Sequence, residues 1–244
     1  MIDIHCHLLP GIDDGPPDLD AALALAKALV ADGITHVVAT PHVFPGRFEN
    51  RRTSIEEEFG RFQAELLGLG LPLQITWAGE VRLTPEVLEL MMRGELPFMG
   101  QTGGYQTMLL EMPDGQIPLG SDRFVGHLLA RGIRPVIAHP ERNRAVMEKP
   151  QRLQPFVDMG CWVQLTAGSL VGAFGDKAQT TAEALLDAGW VHAVASDAHN
   201  LGGRRPRMAD AAAWLAEHHG DKLARQLTWH GPLQVCAGQW PNLA

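Results

Sequence analysis

Thiols are scarce in this chain. Its three cysteines, Cys6, Cys161 and Cys236, lie far apart, are odd in number and form no Cys-x-x-Cys pair, which argues against a disulfide framework or a thiolate zinc site and fits a reducing cytoplasm. Long apolar runs are also missing. The longest near the N-terminus, 21–31, is interrupted by Lys27, whereas about 20 apolar residues are needed to span a bilayer. No positively charged segment or cleavage site precedes the first strand, so a soluble, cytoplasmic protein without direct membrane insertion is expected. Low-complexity segments, internal repeats and linkers are absent too, which leaves one α/β domain over residues 1–244. Basic residues are outnumbered: 20 Lys and Arg against 28 Asp and Glu give a net charge of −8, a balance that disfavours a nucleic-acid partner. Neither a phosphate-cradling Gly-rich loop nor a dinucleotide fingerprint occurs, so an ATP or NAD enzyme is not expected.

What the chain does have is concentrated first in residues 5–15, His-Cys-His-Leu-Leu-Pro-Gly-Ile-Asp-Asp-Gly. Residues 1–4 read as a short buried strand, and a His-x-His pair at its end places both rings on one face, because side chains alternate along a strand. The Pro-Gly and Asp-Asp-Gly steps are turn chemistry, so the carboxylates ride on a loop that can fold back over the strand end. Asp14 is read as a ligand and Asp13 as a residue that orients the turn or a neighbouring ligand.

The same arrangement recurs along the chain. Pro16-Pro17-Asp18 starts a helix whose apolar stripe Leu19, Leu23, Ala26 and Val30 runs to Gly33. Further strands are expected over 35–40, running into Pro41-His42; over 73–81, ending at Glu80; over 105–110, ending at Glu111; over 134–138, ending at His139; over 161–165; and over 192–195, delivering Asp197 and His199. Helices over 50–67, 122–130, 153–159, 177–188 and 206–218 alternate with them. Seven strands alternating with helices predict parallel βα units in a closed or nearly closed barrel, a fold that carries its chemistry at the C-terminal ends of its strands. Six of the seven predicted strands end in His, Asp or Glu.

Nine side chains thus stand as candidate metal ligands: His5, His7, Asp14, His42, Glu80, Glu111, His139, Asp197 and His199. Imidazole with carboxylate suits manganese, iron(II) or zinc in a catalytic role, and nine donors serve about two or three ions at three to four each. Ions roughly 3.5–4 Å apart suit in-line displacement at a phosphate ester. Arg142 and Arg204, near ligands in sequence, can fork onto phosphoryl oxygens, with Arg205 and Arg207 as lesser candidates. A cysteine nucleophile is disfavoured, because Cys6 faces away from His5 and His7 and no cysteine is followed by a phosphate-cradling loop ending in arginine. His36, His127, His192, His218, His219 and His230 read as structural, and Phe44, Arg47, Phe48 and Tyr105 as candidates for a substrate rim.

His5-Cys6-His7, Asp13-Asp14-Gly15, Thr40-Pro41-His42, Gly79-Glu80, His139-Pro140-Glu141-Arg142 and Ser196-Asp197-Ala198-His199 together resemble the polymerase and histidinol phosphatase (PHP) superfamily. The longer strings over 5–15 and 196–200 are similar to its bacterial protein-tyrosine phosphatase branch, which acts in capsular and exopolysaccharide synthesis. The resemblance covers nearly the whole chain. It implies a distorted (β/α)7 TIM-like barrel with three divalent ions, usually manganese, with iron or zinc as alternatives. It also implies ligand sets of His5, His7, Glu80 and Asp197, of Glu80, Glu111 and His139, and of Asp14, His42 and His199, with Glu80 shared. Arg142 and Arg204 would bind phosphate while a metal-activated hydroxide attacks phosphorus in line. The implied partner is a tyrosine-phosphorylated protein, a membrane-associated tyrosine autokinase. The three arginines of 204–207 leave open which one meets phosphate. A small-molecule phosphatase such as histidinol-phosphate phosphatase on the same barrel, and a non-catalytic metal-binding module, stand as the alternatives.

Overall fold

Ten strands form in the computed structural model, which describes residues 1–243: β1 Ile2–Cys6, β2 His36–Ala39, β3 His42–Val43, β4 Gln74–Trp77, β5 Glu80–Arg82, β6 Gly100–Thr102, β7 Tyr105–Glu111, β8 Ile133–Ala138, β9 Trp162–Thr166 and β10 Ala193–Ala195. All but β6 pair in parallel, in the orders β1-β2-β4 and β10-β9-β8-β7-β5-β3.

These two sheets share a register. Ala39 faces Trp77 in one and His42 faces Glu80 in the other, and between them Ala78 N donates to Ala39 O at 2.8 Å and Glu80 N to Pro41 O at 3.0 Å. Residues 36–43 and 74–82 are therefore two kinked strands that remain paired through the kink. The predicted unbroken strand over 73–81 is corrected to β4 and β5, with the break at Ala78-Gly79, and Pro41, which has no N–H for a ladder, breaks its partner. Gly79 is required there. A Cβ would lie 2.6 Å from Pro97 Cγ and 2.9 Å from Val43 Cγ2.

At the opposite seam, β1 meets the segment after β10. Asp197 N donates to His5 O at 2.7 Å and His7 N to Ala198 O at 2.9 Å. Counting each kinked pair once gives seven parallel strand positions, joined at this seam into the closed or nearly closed barrel expected from the strand pattern and the distorted (β/α)7 TIM-like arrangement implied by the family resemblance. Part of the distortion has a local cause: β6 lies antiparallel along the start of β7, opposite Tyr105 to Thr107, where a regular barrel would place β4.

Two apolar layers hold the ring. Ile2, Ile4, Val38, Leu109, Val136, Trp162 and Ala193, each from a different strand except for the β1 pair, pack with Val235 and Cys236 in an inner cluster. The C-terminal segment covers the end of the ring away from the candidate ligands, where Thr107 Oγ1 donates to Val235 O at 2.6 Å and Gln101 N to Ala237 O at 2.9 Å. The outer cluster joins the strands to surrounding helices. In Leu19–Ala31, capped by Asp18 Oδ1 accepting from Ala21 N at 2.9 Å, Ala22, Leu25, Ala26 and Leu29 are the fully buried positions. The helices expected over 50–67, 122–130, 177–188 and 206–218 appear as Arg52–Gly68, Ser121–Leu129, Asp176–Asp187 and Met208–His219. No helix among the described residues is long and apolar enough to cross a membrane. All three cysteines are buried and free.

Candidate metal centre

The nine side chains read as ligands, eight from strand ends and Asp14 from the loop after β1, meet at one end of the ring. From β1 and the residue after it, His5 Nε2 and His7 Nε2 approach to 3.3 Å. Both point at Glu80 Oε2, at 3.4 and 3.3 Å, and at Asp197 Oδ1, at 3.3 and 3.5 Å. Glu80, the first residue of β5, also meets His42 Nδ1 at 2.9 Å through Oε2 and His139 Nε2 at 2.8 Å through Oε1. Asp14, on the loop, places Oδ1 3.3 Å from both His42 Nε2 and His199 Nε2. Glu111 closes the group from the end of β7.

Four sets have donor atoms within 4.8 Å of one another: His7, Asp14, His42 and His199; His5, His7 and Glu80; His5, His139 and Asp197; and His42, Glu80 and Glu111. These overlap the three sets implied by the family resemblance but divide differently. His42 joins Glu80 and Glu111, and His139 sits with His5 and Asp197.

Four of these donors test whether a cation fits. Glu80 Oε2, Glu111 Oε2, His42 Nδ1 and His199 Nε2 are buried without a partner of hydrogen-bond geometry, although carboxylates and imidazoles crowd around them. Buried polar atoms are almost always satisfied. Imidazole nitrogens and carboxylate oxygens converging in this way are what a divalent ion ligates once the imidazoles give up their protons, and the set suits manganese, iron or zinc.

Without an ion, protons and arginines balance the charge. Burial depresses the His5 pKa, but Glu80 and Asp197 outweigh it and raise it to about 9. His42, likewise lowered by burial, rises to about 11 through Asp14 and Glu80. His199 falls to about 4 through burial and the adjacent His7. Burial would raise Asp197, yet His5, Arg142 and Arg204 hold it well below the usual carboxylate range. Glu111 is raised by burial and by Glu80, only partly offset by His139 and Arg82.

Backbone conformation is also specialised here. His139 and Asp197, with φ of 31° and 51°, are the non-glycine residues of positive φ among those described. Such residues cost roughly 1–3 kcal/mol each and persist where their surroundings fix them.

Supporting residues set the tautomers. Asp13 Oδ2 accepts from His7 Nδ1 at 2.6 Å and from His42 N at 2.9 Å, which turns His7 Nε2 toward the centre. Gln164 Oε1 does the same for His5 Nδ1 at 2.9 Å. The sequence reading foresaw Asp13 and missed Gln164, the buried polar residue on the one predicted strand without a terminal ligand. It also missed Asp3, which accepts from Ser196 N at 2.9 Å and ties β1 to the Asp197 segment, and Glu141, which accepts from Thr166 N at 2.9 Å and Ser169 Oγ at 2.7 Å and anchors the turn between His139 and Arg142. The signal for Glu141 was a carboxylate flanked by a ligand and an arginine.

Arg142 and Arg204 both reach this centre. Arg142 Nη1 donates to Asp197 Oδ2, with its guanidinium 4.5 Å over the Phe174 ring, and Arg204 Nη2 meets both Asp197 oxygens at 2.8 Å. Arg205 is exposed, and Arg207 pairs with Asp210 at 4.0 Å, so Arg204 is the arginine of that run that faces the centre. A third, unforeseen arginine, Arg82, binds Glu111 Oε1 at 2.7 Å and Asp114 Oδ1 at 3.2 Å. A cavity of about 160 Å³ opens over the group, lined by Asp14, His42, Phe44, Arg47, Phe48, Arg82, Glu111, Asp114, His139, Arg142 and Arg204. Phe44, Arg47 and Phe48 therefore line it as the sequence reading anticipated. Tyr105 does not. It starts β7, at the opposite end from Glu111, and lies 4.4 Å under the Arg134 guanidinium.

A parallel β/α ring with imidazoles, carboxylates and arginines gathered at its C-terminal strand ends defines a metal-centre barrel of the hydrolytic kind. Comparison with known proteins narrows the class. The chain belongs to the CpsB/CapC family of capsular polysaccharide synthesis, whose family model matches residues 1–237. It is 35% identical to tyrosine-protein phosphatase YwqE of Bacillus subtilis over 233 residues, 96% of this chain and 91% of the relative. It is 32% identical to tyrosine-protein phosphatase CpsB of Streptococcus pneumoniae over 246 residues, 98% of this chain and 99% of the relative. In structure it matches a chain from the pair YwqE of B. subtilis and CpsB of S. pneumoniae, described as unique metal-dependent tyrosine phosphatases, with a TM-score of 0.88 at 34% identity, covering 96% of this chain and 94% of that one.

Proposed function

We propose that this protein is a metal-dependent protein-tyrosine phosphatase, one domain over residues 1–244, that hydrolyses phosphotyrosine on a membrane-associated tyrosine autokinase controlling capsular or exopolysaccharide synthesis from the cytoplasm. The observation that carries the reading is the convergence of Arg142 and Arg204 on Asp197, at the mouth of a nine-donor centre. Donors for cations and donors for an oxyanion address the same cavity, and a phosphoryl group is the substrate that uses both. Relatives named as tyrosine-protein phosphatases at 35% and 32% identity support the substrate class, and the capsular polysaccharide family supports the pathway.

The centre is read as holding three divalent ions, with manganese favoured, through His5, His7, Asp14, His42, Glu80, Glu111, His139, Asp197 and His199. Bound there, such ions acidify a water and offset charge on the phosphoryl oxygens. The protein's own groups do the rest. Asp13 and Gln164 fix the imidazole tautomers of His7 and His5, so that lone pairs rather than N–H groups face the centre. Arg142 and Arg204 hold the non-bridging phosphoryl oxygens and align the ester for in-line attack. Arg204 keeps Nε buried without a partner, a donor free for that purpose.

The test is the initial rate of phosphate release from a tyrosine-phosphorylated peptide by chelator-stripped protein, with and without manganese and with histidinol phosphate in parallel. Manganese-dependent release favouring the peptide is expected. Preference for histidinol phosphate overturns the substrate assignment, and turnover that ignores manganese overturns the metal mechanism.

A further inference from the structure

One wall of the cavity is aromatic and supplies none of the candidate ligands. Phe44 and Phe48 both line it, yet neither belongs to the buried core. They come from a tight hairpin braced by its own backbone: Phe44 N donates to Phe48 O at 3.0 Å, Phe48 N to Phe44 O at 2.7 Å and Arg47 N to Phe44 O at 2.9 Å. Gly46, at φ +86°, makes the reversal, and its N–H donates to Glu49 Oε1 at 2.7 Å. Asn50 Nδ2 ties the hairpin base to His42 O at 2.9 Å and Ile12 O at 2.8 Å. The rings are also fixed from outside. Phe48 lies parallel to His42, 5.3 Å between centroids at 6°, and Arg82 sits 5.2 Å over Phe44.

Two preorganised, partly exposed aromatic rings beside an oxyanion site are costly to leave facing water and suit a flat apolar group attached to the bound anion. We propose that Phe44 and Phe48 form an aryl-binding wall that selects aromatic phosphate monoesters over alkyl ones, and so determines the specificity of this site for phosphotyrosine. The inference rests on the phosphatase reading above.

The experiment uses Phe44→Leu, Phe48→Leu and the double variant, which keep apolar bulk against His42 and Arg82 while removing the rings. With manganese-loaded protein, KM and kcat are measured for phenyl phosphate, and inorganic phosphate is titrated as a competitive inhibitor. Two lost aromatic contacts raise KM for phenyl phosphate about tenfold in the double variant, with the inhibition constant for inorganic phosphate and kcat within about twofold of wild type. An unchanged KM, or a KM and a phosphate inhibition constant that rise together, overturns the aryl wall while leaving the phosphatase reading standing. A wild-type enzyme that cleaves an alkyl phosphate such as β-glycerophosphate but not phenyl phosphate overturns both.

Discussion

Replacing Asp13 with asparagine separates the orientation of a candidate ligand from ligation itself. The carboxylate accepts from His7 Nδ1 at 2.6 Å and His42 N at 2.9 Å through Oδ2, and from Gly15 N at 2.9 Å through Oδ1. Asparagine offers one oxygen and an amide that only donates. If the oxygen stays with Gly15, the amide faces two donors. His7 must then accept at Nδ1 and carry its proton on Nε2, the atom 3.3 Å from Glu80 Oε2, and a protonated nitrogen cannot ligate. If the oxygen stays with His7 and His42, Gly15 N loses its partner and the charge-assisted bond to His7 becomes a neutral one of about half the strength. Either outcome weakens the site. Losing a partner that fixes a metal-binding histidine costs about 10–100-fold in affinity or activity, or about 1.4–2.7 kcal/mol. Calorimetric titration of chelator-stripped Asp13→Asn with manganese should therefore show binding weaker by about 10–100-fold, with turnover substantially restored by excess metal. A folded Asp13→Asn protein that binds manganese as wild type does refutes the orienting role.

In the metal-free protein, His5 titrates at about 9 and His42 at about 11, both above the ordinary 6.5, so both are protonated at neutral pH. Divalent-ion binding should release protons, and affinity should climb with pH. Titrations in buffers of different ionisation enthalpy measure this, and binding without proton release refutes it. The same raised values stabilise the stripped protein fully below 6.5, a contribution lost as pH rises through about 9 for His5 and 11 for His42, so its melting temperature should fall across that window by more than that of loaded protein. Arg142→Lys and Arg204→Lys keep the charge but lose the guanidinium fork, and each should lower kcat/KM for a phosphotyrosyl peptide at least about tenfold, whereas exposed Arg205→Ala should stay within about twofold. Equal effects at Arg204 and Arg205 contradict the assignment. Gly79→Ala forces a Cβ to within 2.6 Å of Pro97 Cγ. Overpacking of this kind costs about 1–3 kcal/mol, at about 2–4 °C per kcal/mol for a chain of this size. Thermal melts at saturating manganese should show a loss of several degrees, and an unchanged melting temperature removes the reason given for glycine at the kink.

Much of the ring was legible because a parallel strand writes two signals at once, a buried apolar run and a polar residue where the run meets the loop. Val37 to Ala39 before His42, and Val136 to Ala138 before His139, carry both, and so eight of the nine donors could be named from strand ends, Asp14 from the loop after the first, and the structure gathers them. Their division among ions was not legible. It depends on Glu80 reaching His42 across β3 and β5 and His139 across β7 and β8, distances set by the kinks at Pro41 and Gly79 rather than by spacing along the chain. Gln164 was hidden for a related reason: its bond to His5 spans 159 residues, and one buried amide in a strand looks like an accident until its partner is placed.

The least readable feature is conformational. His139 and Asp197 adopt positive φ, a region in which histidine and aspartate are enriched over other non-glycine residues but still uncommon, so residue type permits the conformation without singling these two out from the chain's other histidines and aspartates. The fold imposes the conformation from outside. Asp197 N is held by His5 O across the seam, and Glu141 pins the turn after His139 from β9 and the helix Ala167–Leu170. Tertiary contacts select the conformation where a side chain must be aimed, and the two positions so fixed are candidate ligands that also adjoin the arginines of the site.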